Sequence, residues 1–164
     1  MRLLPAHLSH LPPPVADALA HSERLRELIA GEISAGDGWI SFARYMELAL
    51  YAPGLGYYSA GAAKLGADGD FTTAPELGAL FARTLARQVA QVLRDGVADI
   101  VEFGAGSGRL ARDLMMELAA LDCLPQRYLI LETSADLRQR QQEILRRDLP
   151  QHMHRVAWLD ALPA

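Results

Sequence analysis

The second half of the sequence predicts an α/β fold with a parallel, doubly wound sheet. Three short apolar runs alternate there with two stretches of helical periodicity. Such alternation is typical of parallel strands joined by right-handed helical crossovers. The first apolar run leads directly into three alternating glycines, Gly104, Gly106 and Gly108. The five elements are predicted at residues 100–103, 108–121, 127–132, 135–148 and 154–159.

The first third of the sequence predicts helices rather than strands. Pro12–Pro14 suit the first turn of a helix, and an apolar stripe follows until the pattern breaks over residues 31–38. Ser41 can cap a second helix that runs to Tyr51. The predicted buried side of this second helix consists of Phe42, Tyr45, Met46 and Ala49.

Residues 73–96 predict one long helix that precedes the sheet. Thr73 and Glu76 have the spacing of a capping box, with Pro75 in the first turn. Apolar residues then recur every three or four positions as far as Gly96, where the helix is expected to stop. A third cap is predicted at Ser134, before the last helix of the chain.

Composition and charge place the chain among ordinary soluble proteins. Its 164 residues are 51% hydrophobic and 22% charged, which suits one domain with a core. The net charge of −4 argues against nucleic acid as a partner, and no apolar run approaches the ~20 residues of a membrane span. The single cysteine, Cys123, excludes an internal disulfide framework, and residues 1–11 lack the apolar core of a secretory signal. The cytoplasm is therefore the predicted compartment, and the histidines predict no metal site.

The three glycines predict a ligand-binding turn. Without a Cβ they reach backbone angles closed to other residues, and they let a ligand approach the main chain closely. Free N–H groups at the start of the following helix then favour a negative group on the ligand. A dinucleotide fingerprint needs a third glycine at the position of Arg109, so a nicotinamide cofactor is disfavoured. The remaining alternatives are another nucleotide cofactor and a turn that binds nothing.

A second acid, Glu132, ends the apolar run Tyr128–Leu131. In a βαβ unit the second strand delivers a carboxylate to the ribose hydroxyls, and one carboxylate accepts hydrogen bonds from both. The alternative is a strand-end carboxylate in solvent. Because a ribose is common to nicotinamide and other nucleotide cofactors, this acid does not distinguish between them.

Several segments resemble one family of enzymes. The run Val101–Gly108 is similar to the first motif of the Rossmann-like methyltransferases that use S-adenosylmethionine. Together with this run, the segments at residues 40–46, 49–53, 54–58 and 69–76 resemble the MidA family. These are S-adenosylmethionine-dependent methyltransferases whose mitochondrial members methylate a protein arginine and act in the assembly of respiratory complex I. The resemblance extends from about residue 25 to the end of the sequence.

The resemblance implies a cofactor, a fold and a site. The cofactor is S-adenosylmethionine, and the fold is that of a Rossmann-like class I methyltransferase with strand order 3-2-1. Residues 1–72 would form an N-terminal helical and loop region, and residues 73–164 the first half of the cofactor-binding domain. Gly69, Asp70, Phe71 and Thr73 would line the pocket. The implied cofactor-binding residues are Glu102, Gly104, Ala105, Gly106, Ser107, Gly108 and Glu132.

The resemblance also implies a protein substrate, with a subunit of a respiratory complex as the expected acceptor. Members of the family continue beyond the third strand, so this sequence is expected to be an N-terminal portion, and we assign no catalytic residue. The alternative is a non-catalytic assembly or binding module that keeps the methyltransferase fold. The strand at residues 100–103 would have an unpaired edge in such a portion, and we therefore expect this edge to be covered by self-association, by the N-terminal region or by the rest of the polypeptide.

Overall fold

The computed structural model describes residues 13–60 and 72–162. The chain divides into two compact units, Met1–Tyr57 and Tyr58–Ala164. The predicted boundary between residues 72 and 73 stays a prediction. None of the described helices combines the length and the apolar character that a membrane-spanning helix needs.

Over residues 13–57, the described part of the first unit, the chain forms two helices, α1 (Ala16–Ala35) and α2 (Phe42–Tyr51). Helix α1 extends past residue 31, where the sequence predicted a break. It tolerates Gly31 because a glycine costs a helix only about 1 kcal/mol relative to alanine. The helix ends where Asp37 and Gly38 take left-handed backbone angles. Within this unit, Arg44 of α2 forms an ion pair with Glu32 of α1.

Helix α2 begins as predicted but buries a different side. The Ser41 hydroxyl oxygen accepts a hydrogen bond from the backbone N–H of Arg44, which confirms the predicted cap. The buried residue of the helix is Leu48, whereas Phe42 is 76% exposed and Tyr45 is 43% exposed. The two aromatic rings stack on each other, with centroids 6.2 Å apart, so each covers part of the other outside the core. The prediction of a buried Phe42 and Tyr45 was therefore wrong.

The second unit contains the predicted alternation of helices and strands. The predicted long helix is in fact two, because Gly78 has φ +154° and separates a one-turn helix from a longer one. The five predicted elements that follow agree in type and order, but a 3-10 helix that was not predicted precedes the last strand, which begins at residue 156 instead of residue 154. In chain order the elements are α3 (Ala74–Leu77), α4 (Leu80–Arg94), β1 (Asp99–Phe103), α5 (Arg109–Ala120), β2 (Arg127–Leu131), α6 (Ala135–Asp148), a 3-10 helix (Pro150–Arg155) and β3 (Val156–Leu159).

The three strands form a parallel sheet in the order β1-β2-β3, which confirms the predicted order. Tyr128 and Ile130 of the central strand are buried in one hydrophobic core with residues of the helices α4, α5 and α6. The core side chains of the helices are Ala86, Ala90, Ala111, Leu114, Met115, Leu118 and Leu145. This packing fixes the carboxyl ends of β1 and β2 side by side, where an α/β sheet of this topology binds its ligands.

Candidate cofactor-binding site

The glycine turn joins β1 to α5 through three left-handed residues. Gly104, Gly106 and Gly108 have φ angles of +62°, +54° and +82°, a region that side chains disfavour. A Cβ on Gly104 would meet nothing within 4 Å, so this glycine leaves open space at the turn. A Cβ on Gly108 would lie 3.1 Å from Cγ2 of Ile144 on α6, so this glycine permits close helix packing. The turn predicted from the sequence therefore has the required geometry.

Glu102 is the penultimate residue of β1, and its side chain is half-buried. The hydroxyl of Tyr128 donates a hydrogen bond of 2.8 Å to Oε2 of Glu102. Burial raises the pKa of the Glu102 carboxyl; the hydrogen bond from Tyr128 opposes this rise, and the nearby charge of Glu132 adds to it. A carboxylate that is costly to ionise in this position would gain from a cationic ligand group, such as an ammonium.

We expect Glu102→Gln to stabilise the ligand-free protein at neutral pH. Because the folded-state pKa of Glu102 is raised above 4.5, its ionisation costs folding free energy as pH rises through the raised pKa. Glutamine carries no charge, and its oxygen still accepts from Tyr128. Urea unfolding at several pH values measures how much larger the free energy of unfolding of the variant is than that of the wild type. This difference should grow with pH above 4.5. An advantage that does not change with pH would contradict this account.

Asp99 on the same strand provides the control for that measurement. A hydrogen bond from Arg127 lowers the pKa of the Asp99 carboxyl, so its ionised form stabilises the fold. This contribution is present above the ordinary pKa and is lost as pH falls through the lowered one. We therefore expect Asp99→Asn to lose stability relative to the wild type at neutral pH, opposite in sign to Glu102→Gln.

Glu132 follows β2 and is buried, with 6% of its surface exposed. Its Oε1 accepts a hydrogen bond of 2.9 Å from the backbone N–H of Ser134, and its Oε2 accepts one of 3.0 Å from Nε2 of Gln141. The alternative of a solvated strand-end carboxylate is therefore wrong. Ser134 in turn caps α6 by accepting from the N–H of Leu137, as the sequence predicted.

A pocket of about 330 Å³ opens at the carboxyl ends of β2 and β3. Arg138 closes one side of it: Nη2 donates to the carbonyl oxygen of Leu159 at 2.8 Å and to Oδ1 of Asp160 at 2.9 Å. The pocket combines apolar surface with both signs of charge, which suits a heterocyclic ligand with polar edges. Its lining residues are Leu131, Glu132, Thr133, Ala135, Arg138 and Asp160.

Glu76 contacts the glycine turn instead of completing a capping box. The Thr73 side chain makes no cap hydrogen bond, so the predicted box is wrong. The Ser107 hydroxyl donates to Oε1 of Glu76, and Arg109 Nη1 lies 3.3 Å from Oε2 of Glu76. Only 7% of the Glu76 side chain is exposed, and its ion pair joins α3 to the start of α5. Arg109, which argued against a dinucleotide turn, thus has a structural partner.

The remaining predicted site residues differ in their exposure, and three of them lie outside the described part of the chain. Ala105 is buried within the turn, and Thr73 is exposed at the N-terminus of α3. The predictions for Gly69, Asp70 and Phe71 lie outside the described residues. Within residues 13–60 and 72–162, no three or more His, Cys, Asp or Glu side chains are grouped to hold a metal ion.

Two residues at the site were missed by the sequence analysis, Glu76 and Gln141. Glu76 has the spacing of a cap, and a local pattern does not show a contact with a residue 31 positions away. Gln141 does have a sequence signal. It lies four residues from both Leu137 and Leu145, which are buried, so it occupies the apolar side of α6. A polar residue at such a position indicates a buried hydrogen-bonding role.

The turn after β1, the buried acid after β2 and the pocket beyond it are the features of a nucleotide-binding α/β unit. Residues 80–164 match a family described as "putative S-adenosyl-L-methionine-dependent methyltransferase". Because this match covers half of the sequence, the chain belongs to that family. The predicted resemblance to an S-adenosylmethionine-dependent methyltransferase family is therefore confirmed.

Curated relatives and solved structures agree with this family. The chain is 30% identical over 142 residues to the mitochondrial protein arginine methyltransferase NDUFAF7 homolog of Caenorhabditis elegans, covering 82% of this chain and 33% of the relative. It is 35% identical over 101 residues to mitochondrial protein arginine methyltransferase NDUFAF7 of Danio rerio, covering 59% of this chain and 23% of the relative. The chain thus spans a third or less of these relatives.

A solved structure extends the similarity to the fold. A Burkholderia thailandensis protein bound to S-adenosyl-homocysteine is 52% identical, with a TM-score of 0.79 over 93% of this chain and 41% of that one. A native structure from the same organism is 51% identical, with a TM-score of 0.74 over 93% of this chain and 39% of that one. The predicted methyltransferase fold, with N-terminal helices before a parallel sheet, is therefore confirmed.

Proposed function

We propose that this chain binds S-adenosylmethionine and forms the cofactor-binding part of a methyltransferase. The observation that carries the proposal is the turn of left-handed glycines together with the half-buried Glu102 and the buried Glu132. Family membership supports it, and so does the 52% identity to a protein that holds S-adenosyl-homocysteine.

Each part of the site suits one part of that cofactor. The carboxylate of Glu102 would accept from the cofactor's ammonium, and the main-chain N–H groups after Gly104 would approach its carboxylate. Glu132 keeps lone pairs free on both oxygens after its two hydrogen bonds, so it can accept from the ribose hydroxyls. The pocket beside Thr133 would hold the adenine. When bound, S-adenosylmethionine would supply an activated methyl group. These residues would bind and orient the cofactor.

Protein arginine is the acceptor that we propose, because two curated relatives are named as protein arginine methyltransferases. Resemblance to the MidA family extends the proposal to a subunit of a respiratory complex. An arginine side chain is protonated at neutral pH, since its pKa lies above about 12, and it needs carboxylates that orient it and take up its proton. We assign no such carboxylates within the described residues.

Isothermal titration calorimetry of the complete polypeptide tests the cofactor. We expect S-adenosyl-homocysteine to bind and NAD not to bind. NAD binding in the absence of S-adenosyl-homocysteine binding would overturn the proposal. Mass spectrometry of an acceptor protein after incubation with S-adenosylmethionine then tests for an added methyl group on arginine. Cofactor binding without any transfer would favour the alternative, an assembly or binding module.

We also propose that the 164-residue chain associates with itself through β1. Among the described residues β1 pairs only with β2, and Phe103 on it is 64% exposed. An apolar strand with a free edge favours pairing with another strand. Sedimentation velocity should therefore detect a species larger than 17.9 kDa, and a soluble monomer at all concentrations would contradict this.

The compartment also remains a proposal. The sequence favours the cytoplasm, whereas both curated relatives are named as mitochondrial proteins. Microscopy of a fluorescent fusion to the complete polypeptide, with a mitochondrial marker, distinguishes the two, and signal confined to mitochondria would refute the cytoplasmic assignment.

A further inference from the structure

Gln141 is fully buried on α6, and its amide contacts three separate elements. Nε2 donates hydrogen bonds of 3.0 Å to the carbonyl oxygen of Gly106 and of 3.0 Å to Oε2 of Glu132. Oε1 accepts a hydrogen bond of 2.9 Å from the indole Nε1–H of Trp158 on β3. One side chain thus joins the glycine turn, the acid after β2 and the third strand.

The partners of Gln141 allow only one orientation of its amide. Gly106 and Glu132 both present acceptors, and the indole of Trp158 presents a donor. A flipped amide would place oxygen against two oxygens and an NH₂ group against an N–H, so all three hydrogen bonds would be lost. Because all four groups lie at the edge of the core, such a loss is costly. The amide orientation is therefore fixed by its surroundings.

Close packing of the turn against α6 makes this arrangement rigid. The position of a Cβ on Gly108 lies 3.2 Å from Cα and 3.3 Å from Cγ of Gln141, so the absence of that atom lets the turn approach the helix. An apolar side chain of similar size would fill the same space without the hydrogen bonds. Packing alone therefore does not account for an amide at this position.

We propose that Gln141 is a positioning residue of the cofactor site. It holds the carbonyl of Gly106 and the carboxylate of Glu132 at a fixed separation, so that the turn and the acid meet two ends of the same ligand without reorganisation. Binding to a site that is already ordered avoids the free-energy cost of ordering it. This inference rests on the proposed cofactor site, and it adds a residue that does not itself touch the ligand.

Gln141→Leu tests the inference, because leucine fills the space but has no amide. We expect the affinity for S-adenosyl-homocysteine, measured by calorimetry on the complete polypeptide, to fall at least about tenfold, or about 1.4 kcal/mol. Leu145→Ala is the matched control. Leu145 is fully buried one turn further along α6, and its side chain has no polar group to offer the site. This control should lose stability but keep the wild-type affinity per folded molecule.

Gln141→Glu adds a readout that a purely structural role would not give. The introduced carboxyl lies beside Oε2 of Glu132; protonated, it still donates to that oxygen, and ionised, it repels it. Affinity should therefore approach the wild-type value at low pH and fall as pH rises, relative to the wild type. The other charged groups around Glu132 are Glu102 on β1, Arg138 on α6 and Asp160 after β3. They are present in both proteins, so a difference between the two pH profiles reports the introduced carboxyl and its coupling to these neighbours.

The outcomes separate the positioning role from the cofactor site itself. The positioning role is overturned if Gln141→Leu binds S-adenosyl-homocysteine as tightly as the wild type. It is also overturned if the affinity of Gln141→Glu does not fall with pH relative to the wild type. If Gln141→Leu does not fold, the pH profile of Gln141→Glu decides alone. Gly106→Val reports on the site: retained binding in that variant would overturn the proposed site, whereas lost binding with normal Gln141 variants would overturn only the positioning role.

Discussion

Gly106→Val abolishes measurable binding of S-adenosyl-homocysteine in a protein that still folds, and this is the largest effect on affinity that we expect. Gly106 has φ +54°, where a β-branched residue is strained by about 1–3 kcal/mol. The turn does not relax easily, because its carbonyl oxygen is held by Gln141. The added side chain also lies on the turn that we propose as the ligand's binding surface. Calorimetry should show a loss of more than about 100-fold, which is about 2.7 kcal/mol.

Gly96→Val is the matched control for this substitution. Gly96 follows α4 with φ +102°, and a Cβ there would meet nothing within 4 Å. It therefore carries backbone strain of the same kind without contacting the turn. We expect a similar decrease in the free energy of unfolding and unchanged affinity. Equal affinity in the two variants would show that the turn is not part of the ligand site.

The sequence predicted those elements whose signals are local. The cap at Ser134 and the bounds of α6 follow from residues within a few positions of each other, and the structure confirms both. The parallel order of the strands follows from the alternation of elements and the fixed hand of their connections. The glycines between β1 and α5 predicted left-handed angles because few other residues adopt them.

The contacts that the sequence analysis missed form only after the elements have packed. Glu76 and Thr73 have the spacing of a capping box, but Ser107 and Arg109 compete for the carboxylate once α3 reaches the turn. Phe42 was expected on the buried side of α2 from the apolar pattern of that helix, yet it is exposed. In both cases a tertiary arrangement overrides a local preference, which a pattern of spacing does not contain.

Glu132→Ala should weaken both ligand binding and folding. Loss of the carboxylate removes the proposed acceptor for the ribose hydroxyls, and we expect the affinity for S-adenosyl-homocysteine to fall by about 1.5–3 kcal/mol. It also leaves the buried N–H of Ser134 and an Nε2 hydrogen of Gln141 without an acceptor. An unsatisfied buried donor costs about 1–3 kcal/mol, so the free energy of unfolding should fall by at least that amount. Calorimetry and urea unfolding measure the two effects separately.

Asp136→Ala is the comparison that gives this result its meaning. Asp136 is also a carboxylate near the start of α6, but it pairs with Arg140 on the helix surface and is only half-buried. Its removal should cost less than about 1 kcal/mol of stability and leave the affinity unchanged. If Glu132→Ala lost stability but bound S-adenosyl-homocysteine as tightly as Asp136→Ala does, the buried acid would serve only to hold the loop before α6. A loss of affinity per folded molecule confined to Glu132→Ala would instead support a role for this carboxylate in the ligand site, because unfolding has been accounted for in both variants.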